Sequence, residues 1–515
     1  MTSVSHSRFP TSGEPVGFHR TALTVTGAAL KRQAAALLDN GFRVALVAGH
    51  DDGDILRAIY LFTSPVDDRR VELHVPLRRA YPHLPSLATI SFPAGRFERE
   101  MRDLYGIVPD DHPLPRRLVR HFHWPKGWHP MLKNAGDPPA FGDTEGPFPF
   151  RTVEGPGVYE IPVGPVHAGM IEPGHFRFSV VGETILNLKA RLWFVHKGIE
   201  KLFEGRLPAD AIELAERVSG DTAVGHTLAF CQAVEDALGL GVSQDAQRIR
   251  AVLLELERLY NHITDLGALC NDVGYGILNA HAQRVREQLL RLNEMVTGHR
   301  LLRGGIRLGG ASLRRLPDPE QLAAIGADIA EIVTLALGHS VVRDRFTGTA
   351  VLTTQQATDL GTLGYVARAS GLAVDARHDH PFCSRGFART QHAHTDGDVL
   401  SRFTVRAEEV QASVAMITQL LDDLDDLDVT REPVTTGADT EPGQVRSGVG
   451  IVEGWRGTIV HRVELAPDGV LTRVKIVDPS FFNWPALPVA LTDTIVPDFP
   501  LTNKSFNLSY AGNDL

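Results

Sequence analysis

The stretch RVSGDTAVGH, residues 217–226, decides how the chain is read. Ser219, Gly220, Asp221 and Thr222 are turn and cap residues, and an apolar helical pattern follows over 223–238. It is read together with a second stretch, DPSFFNWPA at 478–486.

Outside these two stretches the composition narrows the class. A chain of 515 residues exceeds one ordinary domain and can bury a large core. Its net charge of −10 argues against nucleic acid as a ligand. The 3 cysteines, Cys231, Cys270 and Cys383, form no CxxC, so neither a disulfide framework nor a structural zinc site is expected. An iron–sulfur cluster normally takes about four cysteines, so this chain alone supplies none. No apolar run reaches the roughly 18–20 residues of a membrane span. The opening MTSVSHSRFPTSGEP lacks the regions of a secretory signal. The sequence therefore reads as cytoplasmic, reaching a membrane only through partners.

Toward the N-terminus, 28–39 reads as a helix stopped by Gly41, and 44–48, 55–62 and 71–77 read as strands, the first two flanking the turn DDGD. The charged segment 97–105 is a helix whose physical reading is a solvated face of i,i+4 pairs. Residues 133–156 are rich in Gly and Pro and have no sustained period, as in an ordered linker. Beyond it, alternation through Phe176, Phe178 and Val180 predicts strands, and 191–203 predicts a helix. Helices follow at 245–269, 282–297, 319–337 and 406–424, then strands at 451–456, 459–465 and 470–477. The acidic run 422–428 reads as a solvated helix end.

The two opening stretches resemble nickel–iron hydrogenase large subunits, which carry R-x-C-G-x-C-x-x-x-H and D-P-C-x-x-C-x-x-H. Arg217, Gly220, His226, Asp478 and Pro479 stand at matching positions. The four metal-binding cysteines are replaced by Ser219, Thr222, Ser480 and Asn483, and the final histidine by Ala486. The 49-kDa subunit of respiratory complex I bears the same relation to hydrogenases. FEREMRDLYGIVPDDHPLPRRL, within 91–118, resembles the 30-kDa subunit of complex I, where this segment docks on the 49-kDa subunit. Fusion of the two is usual in formate hydrogenlyase large subunits, the branch this chain resembles most. The implied fold is α+β: a small α+β domain at 1–135, a linker at 136–158, and a mainly helical hydrogenase-like domain with peripheral strands at 159–515.

Within that resemblance, GPVHAGMIEPGHFRF offers His167, Glu172 and His175. The residues themselves allow a cleft site or two histidines bonded to backbone. Glu172 matches a proton-relaying glutamate of hydrogenases, where a buried carboxylate exchanges protons near neutral pH. His167 matches the first histidine of the complex I motif, and the second has no clean equivalent. The family's quinone-facing tyrosine falls at Gly220. Arg217 matches an arginine beside the partner's iron–sulfur cluster, with pairing to Glu216 or Glu213 as its plain alternative. Asp272 matches a carboxylate near the redox cavity. Glu255, Arg258, His262 and Asp265 recur on one helix face opposite the apolar stripe, which salt bridging explains. Arg368, Asp375, Arg377 and Arg402 match polar and basic positions that order the cavity wall. In VEGWRG, Trp455 takes the place of the proline of V-E-A-P-R-G, and Arg456 sits above the metal position. His378, Asp379, His380, Cys383, His392, His394 and Asp396 are ligand types, but their spacing fits no standard zinc site.

The resemblance implies an oxidoreductase subunit of a hetero-oligomeric membrane complex. It would border a redox cavity, of the kind that takes quinone, beside an iron–sulfur small subunit, and would couple to membrane antiporter-like subunits. It would be peripheral on the inner face of the cell membrane and hold no cofactor alone. A non-redox adaptor and a true hydrogenase are the alternatives, and the missing thiolates oppose the second. With no metal to trigger trimming after 486, the segment to Leu515 is expected to stay and pack, held extended by Pro497 and Pro500.

Overall fold

The computed structural model describes residues 13–142, 146–167, 171–383, 394–424 and 445–515. The chain forms two compact units, Met1–Phe150 and Arg151–Leu515.

In the first unit, β1 (Glu14–Gly17), β2 (Arg20–Thr24), β3 (Arg43–Asp51), β4 (Ile55–Ser64) and β5 (Arg69–Arg78) form one sheet in the order β1-β2-β5-β4-β3. Only the β2–β5 pairing is parallel. Helix α1 (Gly27–Asp39) buries Leu30, Ala34 and Leu37, and the chain then turns at Gly41 with a positive φ. Helix α2 (Phe92–Tyr105) starts where Ser91 accepts the Ala94 N–H and ends at left-handed Gly106. It lies so close to β3 that a Cβ on Gly49 would stand 2.6 Å from the Tyr105 ring.

The expected solvated face of α2 is instead buried: Glu98, Arg99, Glu100 and Asp103 all lie inside. Asp103 Oδ2 accepts the amides of Leu118, Val119 and Arg120 at 2.7, 2.9 and 3.2 Å. Arg99 donates to the carbonyls of Arg116 and Arg117 at 2.9 and 3.0 Å. These charges clamp the loop that follows them, because backbone groups there have no ladder to join.

In the second unit, Val158–Val163, His175–Val181 and Thr184–Arg191 form an antiparallel sheet. The helix expected over 191–203 shrinks to Ile199–Phe203, because the strand runs on to Arg191 and the left-handed Gly198 delays the start. The predicted helices appear as Ala223–Leu238, Gln244–Asp272, Gly276–Thr297, Pro319–Gly338 and Val399–Asp422. Gln244–Asp272 is buried on nearly every side, so Glu255, Arg258, His262 and Asp265 face protein and not solvent. Arg258 meets Glu255 at 2.9 Å, while His262 and Asp265 pair with Glu409 and Arg406 of the helix Val399–Asp422. Pro319–Gly338 is long and apolar enough to cross a membrane by length and composition, although no unbroken apolar run marks it in the sequence. Its Leu322, Ile325, Ile329 and Ile332 are buried, and it packs on Gly276–Thr297 and Val399–Asp422. Asp422 ends the last of these helices, and most of the acidic run 422–428 lies outside the described residues.

The strands Arg446–Gly454, Gly457–Leu465 and Leu471–Val477 form an antiparallel meander. It lies deeper than a peripheral sheet, packed against Ala223–Leu238. Glycine is required there: a Cβ on Gly448 or Gly450 would stand 1.9 Å from the carbonyl of Ala233 or Ala229. The segment after 486 packs as expected but is not extended. Pro497 and Pro500 sit in the first turns of short helices, where a proline lacks nothing the helix needs, and Phe499–Phe506 and Tyr510–Asp514 are helical.

Candidate functional site

The loop Ser219–Thr222 ends where the helix Ala223–Leu238 begins, and the cap of that helix comes from elsewhere. Thr222 makes no side-chain cap. Glu257, from the neighbouring long helix, accepts the amides of Val224 and Gly225 at 2.7 and 3.0 Å. Burial pushes Glu257 up to about 8, the two amides oppose the shift, and the Asp221 charge adds to it. Facing the loop, Asp478 caps Pro479–Asn483 by accepting the Ser480 amide at 2.7 Å. Its other oxygen lies 3.0 Å from His226 Nε2, and His226 Nδ1 lies 3.0 Å from His461 Nε2. All three side chains are buried.

The four positions that hold thiolates in the hydrogenase motif are occupied by hydrogen bonds. Ser219 Oγ donates to Asp221 Oδ1 at 2.9 Å and meets Ser509 Oγ at 2.8 Å. Thr222 Oγ1 donates to Asp221 Oδ1 at 3.0 Å and accepts from Trp455 Nε1 at 3.1 Å. Ser480 Oγ accepts the Ser509 amide at 2.9 Å. Asn483 brackets Leu363, accepting its amide at 2.9 Å and donating to its carbonyl at 3.1 Å. Neutral oxygens already committed to partners do not fit nickel, which favours anionic sulfur. The cysteines lie buried elsewhere, with burial pushing Cys270 up to about 12 and Cys231 higher still.

Arg456 stands over this site and does not reach toward an open space. It donates to Asp221 Oδ1 and Oδ2 at 2.8 and 2.7 Å and to the Asn507 carbonyl at 2.6 Å. Burial alone would raise Asp221, and the guanidinium more than reverses it, holding the carboxyl at about 2. Behind the site the basic residues of the expected cavity wall are all engaged, Arg368 and Arg377 in ion pairs. Arg368 bonds Glu409 and Glu453 at 2.8 Å each, and Arg377 bonds Asp375 at 2.7 Å. Arg402 is buried against the carbonyls of Gly397 and Ala350.

The remaining expected residues lie at or near the surface. His167 Nε2 donates to the Gly174 carbonyl at 2.7 Å, and His175 Nδ1 to that of Gly164 at 3.1 Å, so both bond backbone. Glu172 is exposed, contrary to the buried carboxylate expected, and accepts the Ala511 amide at 3.1 Å. Arg217 is exposed and paired with Glu213 at 2.7 Å, one helical turn back. Gly220 is exposed, and a Cβ there would meet open space. Asp272 is exposed at the end of the long helix. His378, His380, Cys383 and His394 form no ligand cluster among the described residues, and His392 lies outside them.

Lys197, within the helix expected over 191–203, was not among the candidate site residues. Its ammonium donates to the Val218 carbonyl at 3.2 Å, and Glu172, Asp514 and Asp478 act on its charge. Partial burial lowers its pKa. It thus joins the loop at 217–226 to the surface around Glu172.

Three family models match parts of the chain. Residues 23–137 match the respiratory-chain NADH dehydrogenase 30-kDa subunit, 197–271 the nickel-dependent hydrogenases, and 272–441 the respiratory-chain NADH dehydrogenase 49-kDa subunit. Hydrogenase-4 component G of Escherichia coli (strain K12) is 35% identical over 428 residues, 81% of this chain and 73% of that protein. Formate hydrogenlyase subunit 5 of the same organism is 34% identical over 436 residues, 81% and 74% of the two chains. The C/D subunit of NADH-quinone oxidoreductase from Phocaeicola vulgatus is 30% identical over 370 residues, 67% and 71%. A chain of an archaeal respiratory membrane complex, the membrane-bound sulfane sulfur reductase, shares the fold: TM-score 0.61 at 23% identity, covering 70% of this chain and 98% of that one. The class is therefore that of complex I-like and hydrogenase-like oxidoreductase subunits. Within it, the chain belongs to the family of fused 30-kDa/49-kDa-type subunits that includes hydrogenase-4 component G, formate hydrogenlyase subunit 5 and the C/D subunit of NADH-quinone oxidoreductase.

Proposed function

We propose that this chain is the metal-free large subunit of a membrane-bound redox complex of the complex I or formate hydrogenlyase kind. It seats an iron–sulfur small subunit on the face that carries Arg217 and borders a redox cavity beside His167 and Glu172. It passes the effect of reduction to antiporter-like membrane subunits. The observation that carries this reading is the retained frame: Arg217 at the surface, His226 and Asp478 joined inside, and hydrogen bonds at all four ligand positions. Val166 and Ile171 are also exposed next to His167 and Glu172, an apolar and polar mixture suited to a partner-lined cavity. Arg217 would face the partner's cluster, where a cation favours the reduced state. Quinone is the acceptor class that such a cavity serves in the complex I branch. The engaged hydrogen bonds at the ligand positions also favour a second reading, a non-redox adaptor in the same complex. Replacing Arg217→Gln and Glu172→Gln in the intact complex separates the two. A redox cavity loses turnover, and the cluster's midpoint potential falls in Arg217→Gln, with assembly unchanged. An adaptor keeps both.

A further inference from the structure

Residues 507–515 touch both halves of the former metal frame atom by atom. Ser509 meets Ser219 Oγ, donates its amide to Ser480 Oγ, accepts the Gly512 amide at 2.8 Å on its hydroxyl, and accepts Trp484 Nε1–H at 3.2 Å on its carbonyl. Asn507 accepts from Arg456 and donates to Asp265 Oδ1 at 2.6 Å. Gly512 lies so near Asp478 that a Cβ would stand 2.6 Å from its carboxyl group. Beyond it, Asp514 accepts the Val195 amide at 3.0 Å, and the Leu515 carbonyl accepts the amides of Lys197 and Gly198 at 2.8 and 3.0 Å.

We propose that residues 507–515 are a built-in replacement for the metal centre, with Ser509 the positioning residue that ties the 217–226 loop to the helix Pro479–Asn483. A metal would cross-link these two segments through four ligands. Without it, Ser480 would be a buried hydroxyl in need of a partner and Ser219 would be held by Asp221 alone, so the two segments would have no link through these positions. Ser509 supplies both with one residue, using its hydroxyl for one and its amide for the other. The absence of a side chain at 512 lets the segment close onto Asp478, and the Asn507 contacts fix Arg456 and Asp265 at its other end. The interior is thereby closed to a metal ion or a quinone-sized ligand, and any redox cavity lies on the outer side of this segment, where Ala511 meets Glu172. The inference rests on the family frame and not on any redox step.

The test uses the full chain in its assembled complex, with amide hydrogen exchange read over 217–226 and 478–486. Ser509→Ala and Gly512→Ala are each expected to speed exchange in both stretches by about 5- to 30-fold, the effect of one or two lost contacts. Ser509→Thr, which keeps the hydroxyl, is expected to restore protection. Because Ser219 and Ser509 share one hydrogen bond while Ser219 also bonds Asp221, the effect of Ser219→Ala/Ser509→Ala is expected to fall short of the sum of the Ser219→Ala and Ser509→Ala effects. Unchanged exchange in both single variants overturns the proposal, and so does an additive double variant. If Ser509→Ala prevents assembly, Ser509→Thr must recover the complex, and its failure to do so also overturns it. None of these readouts needs turnover, so they stand or fall separately from the redox reading.

Discussion

Glu257 offers a prediction whose sign reverses with pH. Its carboxyl group is fully buried at the start of Ala223–Leu238, with two backbone amides as donors and Asp221 nearby. Burial raises its pKa from 4.5 to about 8. A carboxyl raised in the folded state holds a proton that the unfolded chain gives up. Its effect on stability is therefore nil below the unfolded value and grows unfavourable from about pH 4.5 to 8. At about 1.4 kcal/mol per unit, the penalty at pH 7 is on the order of 3 kcal/mol. Glu257→Gln removes that penalty but keeps one acceptor oxygen for two amides, a loss of about 1–2 kcal/mol. The variant should be less stable than the native protein near pH 5, more stable by about 1–2 kcal/mol at pH 7, and further ahead at pH 8. Melting temperatures of the purified complex, measured for both proteins across pH 5 to about 9, give the difference curve directly. A curve that stays flat, or a variant that is less stable throughout, would show that Glu257 is ionised in the fold and held by the helix N-terminus.

Two further outcomes follow from other parts of the chain. Metal analysis of the purified complex should find no nickel bound by this subunit, since Ser219, Thr222, Ser480 and Asn483 offer only engaged neutral donors, and stoichiometric nickel would refute that. Asp103→Ala strands the amides of Leu118, Val119 and Arg120 and should cost about 2–4 kcal/mol. Limited proteolysis of the full chain should then cut within 115–120, and unchanged resistance would count against the clamp.

Periodicity made the long helices and the last three strands legible, because apolar residues recur at the spacing of a buried face whatever lies opposite. The same logic failed where charge is buried. Sequence patterning assigns Glu98, Asp103, Glu255 and Asp265 to solvent, yet each is inside, held by partners far along the chain such as Ser86, Leu118, Arg377 and Arg406. The motif frame was legible through the family resemblance, down to the residues standing at the ligand positions. What fills those positions was not: Ser219 and Ser509 are 290 residues apart, and no local pattern marks the second serine. Pro497 and Pro500 misled in a definite way, since proline fixes the same φ in an extended chain and in a first helical turn.

The changes around the frame are physically one change. Thiolates on a metal are held by strong bonds to one ion, so the surrounding shell can be sparse. Hydroxyl and amide groups must each find a partner of their own, and a net contribution of about 1 kcal/mol per bond holds only when the geometry is fixed from several sides. Trp455 shows the consequence. The hydrogenase motif has proline there, which has no donor to give, whereas the indole N–H of Trp455 reaches both Thr222 Oγ1 and the Asp221 carbonyl at 3.1 Å. Arg456 beside it stacks on the same indole at 3.9 Å and neutralises Asp221, which in turn receives the hydroxyls of Ser219 and Thr222. Cysteine at positions 219, 222 and 480 would therefore break the bonds that Asp221, Trp455 and Ser509 make there, so these positions are tied to their partners and cannot be changed one at a time without cost.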